Sequence, residues 1–188
     1  MNIRTRLVAG SLSGLAVLAG AVAATSPAQA ADAAHSARSA HSARVAAAEP
    51  VVQTGTLSAD AALKIADAVL KEAVKQKQRV SVVIVDRSGA TRLVLKGDGA
   101  GPQTEESARR KAFTAVSFGR TTSELGKGIT GGGPSIADIP GTLFLGGGVP
   151  VASGGAPVAG IGVGGAPSGD IDESIAQAGL KAVAGQLR

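Results

Sequence analysis

Cysteine, tyrosine and tryptophan are missing from this chain of 188 residues, phenylalanine occurs three times and histidine twice. Without cysteine there is no disulfide framework and no thiolate metal site, so stability must come from the core. Both histidines lie early, at His35 and His41, in a stretch that cannot build a core. A nucleophile–histidine pair therefore cannot be assembled within the folded part, and hydrolase chemistry is disfavoured. No basic stripe interleaved with aromatics exists, which speaks against nucleic acid as a partner.

The chain does have an export signal. Arg4 and Arg6 make a basic start, Leu7 to Ala24 is apolar with small residues, and Ala28-Gln29-Ala30 is a small-x-small cleavage site. Residues 1–30 read as a signal peptide cleaved after Ala30, giving a secreted, extracellular protein. A permanent membrane span is opposed by the glycine and serine interruptions and by the cleavage site. Arg4-Thr5-Arg6 is not a clean twin-arginine pair, so the export route stays open. Removing Arg4 and Arg6 from the 19 basic residues leaves 17 against 14 acidic ones, a net charge of +3.

Residues 31–55 read as a low-complexity tether of Ala, His, Ser and Arg containing a duplicated His-Ser-Ala-Arg. Such a composition cannot bury enough apolar surface to fold. It is either a plain solvated tether or a carrier of two imidazoles, His35 and His41, which are common ligands of transition metals and frequent ones of haem. Residues 56–188 are enough for one compact domain and too few for two.

Within that domain Ser58 is a good N-cap for a helix to about Gln78, with Ala62, Ile65, Ala66, Val69 and Ala73 at helical spacing. Val80 to Val85 and Thr91 to Leu95, joined by Asp86-Arg-Ser-Gly89, read as an antiparallel hairpin. Thr104 can cap a second helix, with Glu105 and Glu106 in its first turn and Ala108, Ala112, Ala115 and Val116 on its buried side, ending at Gly119. Pro140 to Gly169 holds three short apolar runs separated by glycines and prolines, read as three strands. Asp170 then caps a last helix bearing Ile171, Ile175, Ala178 and Ala182. Hairpin-linked strands with few crossovers point to an α+β fold, an antiparallel sheet of about five strands flanked by helices.

In a strand from Val158, alternation puts Gly160, Gly162 and Gly164 on one face and Ala159, Ile161 and Val163 on the other. A side-chain-free face admits a packed helix or a flat ligand close to the backbone. Gly160-Ile-Gly162-Val-Gly164-Gly165 matches the dinucleotide fingerprint literally, but the next helix starts only near Asp170 and no second parallel strand follows, so that function is rejected. The glycines before Asp170 could form an anion nest, yet Asp170, Asp172 and Glu173 already occupy that helix end.

The usual protein ligands of haem iron are His, Cys, Met and Tyr, so this domain by itself would need an oxygen ligand or none. Glu106-Ser-Ala-Arg-Arg-Lys-Ala-Phe-Thr-Ala-Val-Ser117, Thr122-Ser-Glu-Leu125, Asp138-Ile-Pro-Gly-Thr-Leu-Phe-Leu145, Gly155 to Val163 and Ser168-Gly-Asp170 together resemble the GlcG/HbpS family. The likeness runs from about Leu57 to the end and is specific to the exported haem-binding members from actinobacteria, the HbpS type. It implies a profilin-like fold, a homo-oligomer, binding of haem b and of iron, and a redox-responsive accessory role beside a membrane sensor kinase of a two-component system. A binding protein and not an enzyme is expected, while the wider family would allow a small-molecule or peroxide-linked enzyme.

The resemblance also assigns residues. Thr142, in Pro-Gly-Thr-Leu-Phe, is the position implicated at the haem iron, although a neutral hydroxyl is a weak iron ligand. The family's surface iron motif, an acidic pair three apart followed by a lysine, reads here as Glu106, Arg109 and Lys111. An arginine in place of the second carboxylate removes a ligand and adds repulsion, so iron capture there is expected to be weak.

Overall fold

Residues 51–130 and 133–187 are described by a computed structural model. The leader, the tether up to residue 50 and both histidines lie outside the described residues, so the expectations placed on them are not addressed by it. Helix α1 spans Ala59–Lys75; strands β1 and β2 span Ser81–Asp86 and Thr91–Lys96; helix α2 spans Thr104–Phe118 and the short α3 spans Thr122–Lys127. A 3-10 turn at Ile136–Asp138 precedes β3 at Gly148–Ser153 and β4 at Ala156–Gly164, and α4 covers Gly169–Val183.

The four strands form one antiparallel sheet in the order β2-β1-β4-β3. Central β1, Ser-Val-Val-Ile-Val-Asp, is buried on both faces except at Asp86. Val82 and Ile84 join Ile65, Val69, Ile161, Val163 and Ile175 in the main core under α1 and α4, while Val83 and Val85 meet Ala108, Ala112 and Val116 of α2 on the opposite face. The result is helix, sheet, helix, with two apolar layers separated by the sheet.

The two hairpins follow their turn residues. Asp86 Oδ1 accepts from the amides of Ser88 and Ala90 and from the Ser88 hydroxyl, and Gly89 takes φ 84°. Gly154 and Gly155 both adopt positive φ, 59° and 78°, the requirement of a type I′ two-residue hairpin. Pro150 is tolerated because β3 is an edge strand.

Three expectations are corrected. The sheet has four strands and not about five, because Thr142 to Phe144 is not a strand. The amide of Leu143 donates to the side-chain oxygen of Thr114 on α2 (2.8 Å), so this backbone is tied to a helix and not to a ladder. Second, α2 is not capped by the Thr104 hydroxyl; Thr104 is its first residue, with Oγ1 bonded to Gly101 O and Ser81 Oγ. Third, the N-cap of α4 is Ser168, not Asp170, and its buried face is Asp172, Ile175, Ala176, Gly179 and Val183. That face is rotated toward Gly179, where a Cβ would meet Val69 Cγ2 at 2.7 Å, so the smallest residue lets α1 and α4 close together.

The glycine face of β4 is occupied by a helix. A Cβ placed on Gly160 or Gly162 would overlap the carbonyl oxygens of Ala112 and Ala108, and one on Gly164 would lie 2.9 Å from Thr104 O. Helix α2 therefore rests its backbone on the strand.

Candidate functional site

Thr142 sits in the loop that leaves the 3-10 turn, half-buried. It does not stand at the head of a strand. Its hydroxyl donates to Ile139 O at 2.7 Å, which spends the proton and leaves the oxygen lone pairs free to accept or to ligate.

The loop from Gly141 to Leu145 lies along α2. Gly141 faces Phe113, with a built Cβ 3.8 Å from its ring; Leu143 is held by Thr114; and the ring of Phe144 packs against that of Phe118, centroids 6.0 Å apart and tilted by 52°. All three phenylalanines of the chain thus flank the Thr142 loop, and each is half-buried. Ile139 and Leu145 add exposed apolar surface on either side. The Thr142 hydroxyl thus sits on a loop flanked by aromatic and aliphatic side chains, with oxygen lone pairs available to accept a hydrogen bond. The resemblance pointed to Thr142, but nothing in the sequence signalled the aromatic grouping, because Phe113, Phe118 and Phe144 converge only through the loop's course.

At the start of α2, Glu106 is exposed and saturated. Arg109 donates to its carboxylate through Nε and Nη2, both at 2.8 Å, and Arg110 Nε donates at 2.7 Å. Hydrogen bonds from Arg109 first, and from Arg110 next, hold the Glu106 carboxyl down at about 2. Two guanidiniums on one carboxylate leave a local positive charge. Among the described residues no group of three or more His, Cys, Asp or Glu side chains is arranged to hold a metal ion.

Lys111 is corrected by the structure. It does not share the surface with Glu106; its side chain is 3% exposed, and Nζ donates to Asp172 Oδ2 at 2.7 Å and to Val163 O at 3.0 Å. Asp172 Oδ1 accepts from the Ala166 amide at 3.0 Å. Burial pushes the Asp172 carboxyl above its usual value, and the Lys111 hydrogen bond and charge pull it back. This buried pair pins α2 to α4 and floors a cleft of about 340 Å³ lined also by Gln103, Ser107 and Gly165 to Gly169. Helical spacing offered a signal for it, since Thr104, Ala108, Lys111 and Ala115 share one buried row. Nearby Glu173 accepts from the Ser123 hydroxyl at 2.6 Å and from the Gly147 amide at 3.3 Å, so Asp172 and Glu173 are both consumed internally.

The family described as haem degrading protein HbpS-like matches residues 57–181. Among solved structures, HbpS is 55% identical, the match covering 72% of this chain and 96% of that one at TM-score 0.68. A double mutant of Streptomyces reticuli HbpS is 53% identical over 72% of this chain and 97% of that one, TM-score 0.65. A PduOC:heme complex is 27% identical over 68% and 95%, TM-score 0.62. No curated protein matches.

Proposed function

Because the chain belongs to the HbpS-like family, we propose that it is an exported haem-binding protein, with haem b seated on the Thr142 loop. The observation that carries this reading is family membership at 55% identity to HbpS across nearly the whole of that chain. The PduOC relative, whose structure is a heme complex, supports it. So do the half-buried phenylalanines that flank the Thr142 loop. When bound, haem would supply iron redox chemistry. The protein's own residues would supply the apolar bed, through Phe118 and Phe144, and an oxygen with free lone pairs, through Thr142.

The role we propose is a redox- or haem-responsive accessory to a membrane sensor kinase, exerted by a homo-oligomer outside the cell. With no cysteine anywhere in the chain, a redox response cannot run through thiols, which places it on bound haem or iron. Iron capture at the Glu106 face is proposed to be weak, because two arginines already occupy its carboxylate. We place binding ahead of catalysis.

An absorption titration of the secreted protein with haemin is the direct test. Saturable binding with a shifted Soret band is expected. Thr142→Ala should weaken it and move the band, whereas deleting residues 31–50 should leave most of the affinity, because ordering a tether costs roughly 1–2 kcal/mol per backbone residue. Loss of binding on that deletion, with no effect of Thr142→Ala, would assign ligation to His35 or His41. Light scattering should give a multiple of the chain mass, and a monomer at micromolar concentration would remove the oligomer from the proposal. The family's description as haem degrading supports a second reading, a peroxide-linked enzyme. Catalytic loss of the Soret band with peroxide, at a rate above free haemin, would favour it.

A further inference from the structure

A second cleft opens beside the Phe118–Phe144 pair. It measures about 430 Å³ and is lined by Arg87, Val116, Ser117, Phe118, Gly119, Gly155 and Pro157. Two hairpin tips and the end of α2 build it. Arg87 belongs to the β1–β2 turn, Gly155 to the β3–β4 turn, and Gly119 takes φ 63° at the helix C-cap and faces the Pro157 ring, which a Cβ there would touch at 3.8 Å. The cleft's walls are small or apolar apart from Ser117 and one charged side chain.

That side chain is Arg87. Its Nη1 donates to Pro157 O at 2.9 Å, which anchors the guanidinium across the gap between the two hairpins. One of its five N–H groups is used in this bond, and among the described residues no carboxylate pairs with it. The neighbouring cation, Arg120, already faces Glu124 at 3.6 Å. An uncommitted, backbone-anchored guanidinium at the rim of a cleft walled by Phe118, Val116 and Pro157 is built to receive a carboxylate from a flat apolar body. The carbonyl end of α2 disfavours an anion here, so the positive charge of Arg87 is needed for one to bind.

We propose that Arg87 binds the carboxylate of a planar, carboxylated tetrapyrrole whose ring lies against Phe118 and Phe144. This deepens the haem reading of the Thr142 loop and rests on it. Arg87 then selects ligands by their acid groups, while the ring bed and Thr142 act on the macrocycle and its metal.

The test compares haemin with its dimethyl ester, in which both acid groups are masked, on the full secreted protein. The parent is expected to prefer haemin, and Arg87→Met to lower haemin affinity by about five- to tenfold while leaving the ester unchanged, as suits one charge-assisted contact at an exposed site. Arg87→Lys should restore part of the loss by keeping the charge. Thr142→Ala should weaken both ligands. Equal weakening of haemin and ester by Arg87→Met would overturn the proposal and mark Arg87 as a brace between the hairpins. Equal affinity of the parent for the two ligands would also overturn it. Absence of any haemin binding by the parent would overturn the haem reading itself.

Discussion

Gly162→Ala should unfold or strongly destabilise this protein, although it adds a single methyl group in a strand. The backbone at Gly162 is not in the left-handed region, so conformational strain contributes nothing. Alanine would even restrict the unfolded chain, favouring the fold by about 0.4–1 kcal/mol. The penalty is steric and falls on backbone. The new Cβ would overlap Ala108 O and lie 2.7 Å from Ala112 N and 2.8 Å from Ala108 C, none of which is a flexible side-chain end. Relieving the overlap with the Ala108 oxygen requires α2 to lift by roughly 1.5 Å, and a gap of that size forfeits about half or more of each dispersion contact it opens. The contacts at stake are those of Ala108, Ala112 and Val116 with Val83 and Val85. Overpacking alone costs about 1–3 kcal/mol, and with the lost contacts a total of about 3–4 kcal/mol is expected, a large share of the stability of a domain this size. Urea unfolding followed by circular dichroism should show a lower midpoint at unchanged slope. Gly164→Ala should cost less, since its nearest contact is 2.9 Å, and Gly133→Ala should be neutral, having nothing within 4 Å. A Gly162→Ala protein with the parent's midpoint would refute the close approach of α2 to β4.

The same glycines show how far the sequence could be read. Period-two alternation placed Gly160, Gly162 and Gly164 on one face, and their spacing required a close neighbour. What approached was the backbone of α2, legible in hindsight from that helix's own row of Ala108, Ala112 and Ala115, a face thin enough to touch a bare strand. The three long helices and the two hairpins were legible because their signals are local: Ser58 caps, Gly119 terminates, and Gly154-Gly155 turns; the short α3 was not read. The missing fifth strand was not. Thr142-Leu-Phe-Leu145 has strand composition, but its fate depended on Thr114 capturing the Leu143 amide from 29 positions away. Lys111 was misplaced for a similar reason. A lysine in a charged run reads as surface, and only Asp172, 61 residues on, makes its burial tolerable.

Four further outcomes are expected. Secreted material should begin at Ala31, and intact-mass analysis showing Met1 retained in culture medium would contradict the leader assignment. In carboxyl-resolved NMR, Glu106 should titrate near 2 and move back toward 4.5 in Arg109→Ala/Arg110→Ala. Because its folded value is depressed, its contribution is present above 4.5 and lost as pH falls toward 2, and at an exposed site it amounts to at most about 1 kcal/mol. Arg109→Glu should strengthen iron binding at the same face, and calorimetry showing tight iron binding by the parent that Glu106→Gln abolishes would contradict the weak site proposed. Finally, Lys111→Met removes the cation paired with buried Asp172 and should cost about 3–5 kcal/mol, whereas Lys111→Met/Asp172→Leu should recover most of it, since an apolar pair leaves no stranded charge. The pH dependence separates this from lost packing. Without Lys111 the Asp172 carboxyl, already pushed up by burial, rises further. A raised folded value means stability is retained at acid pH, where the group is neutral in both states, and lost as pH climbs through it. The single mutant should therefore fall behind the double mutant with increasing pH, and a constant difference between them across the acid and neutral range would show that Asp172 carries no buried charge.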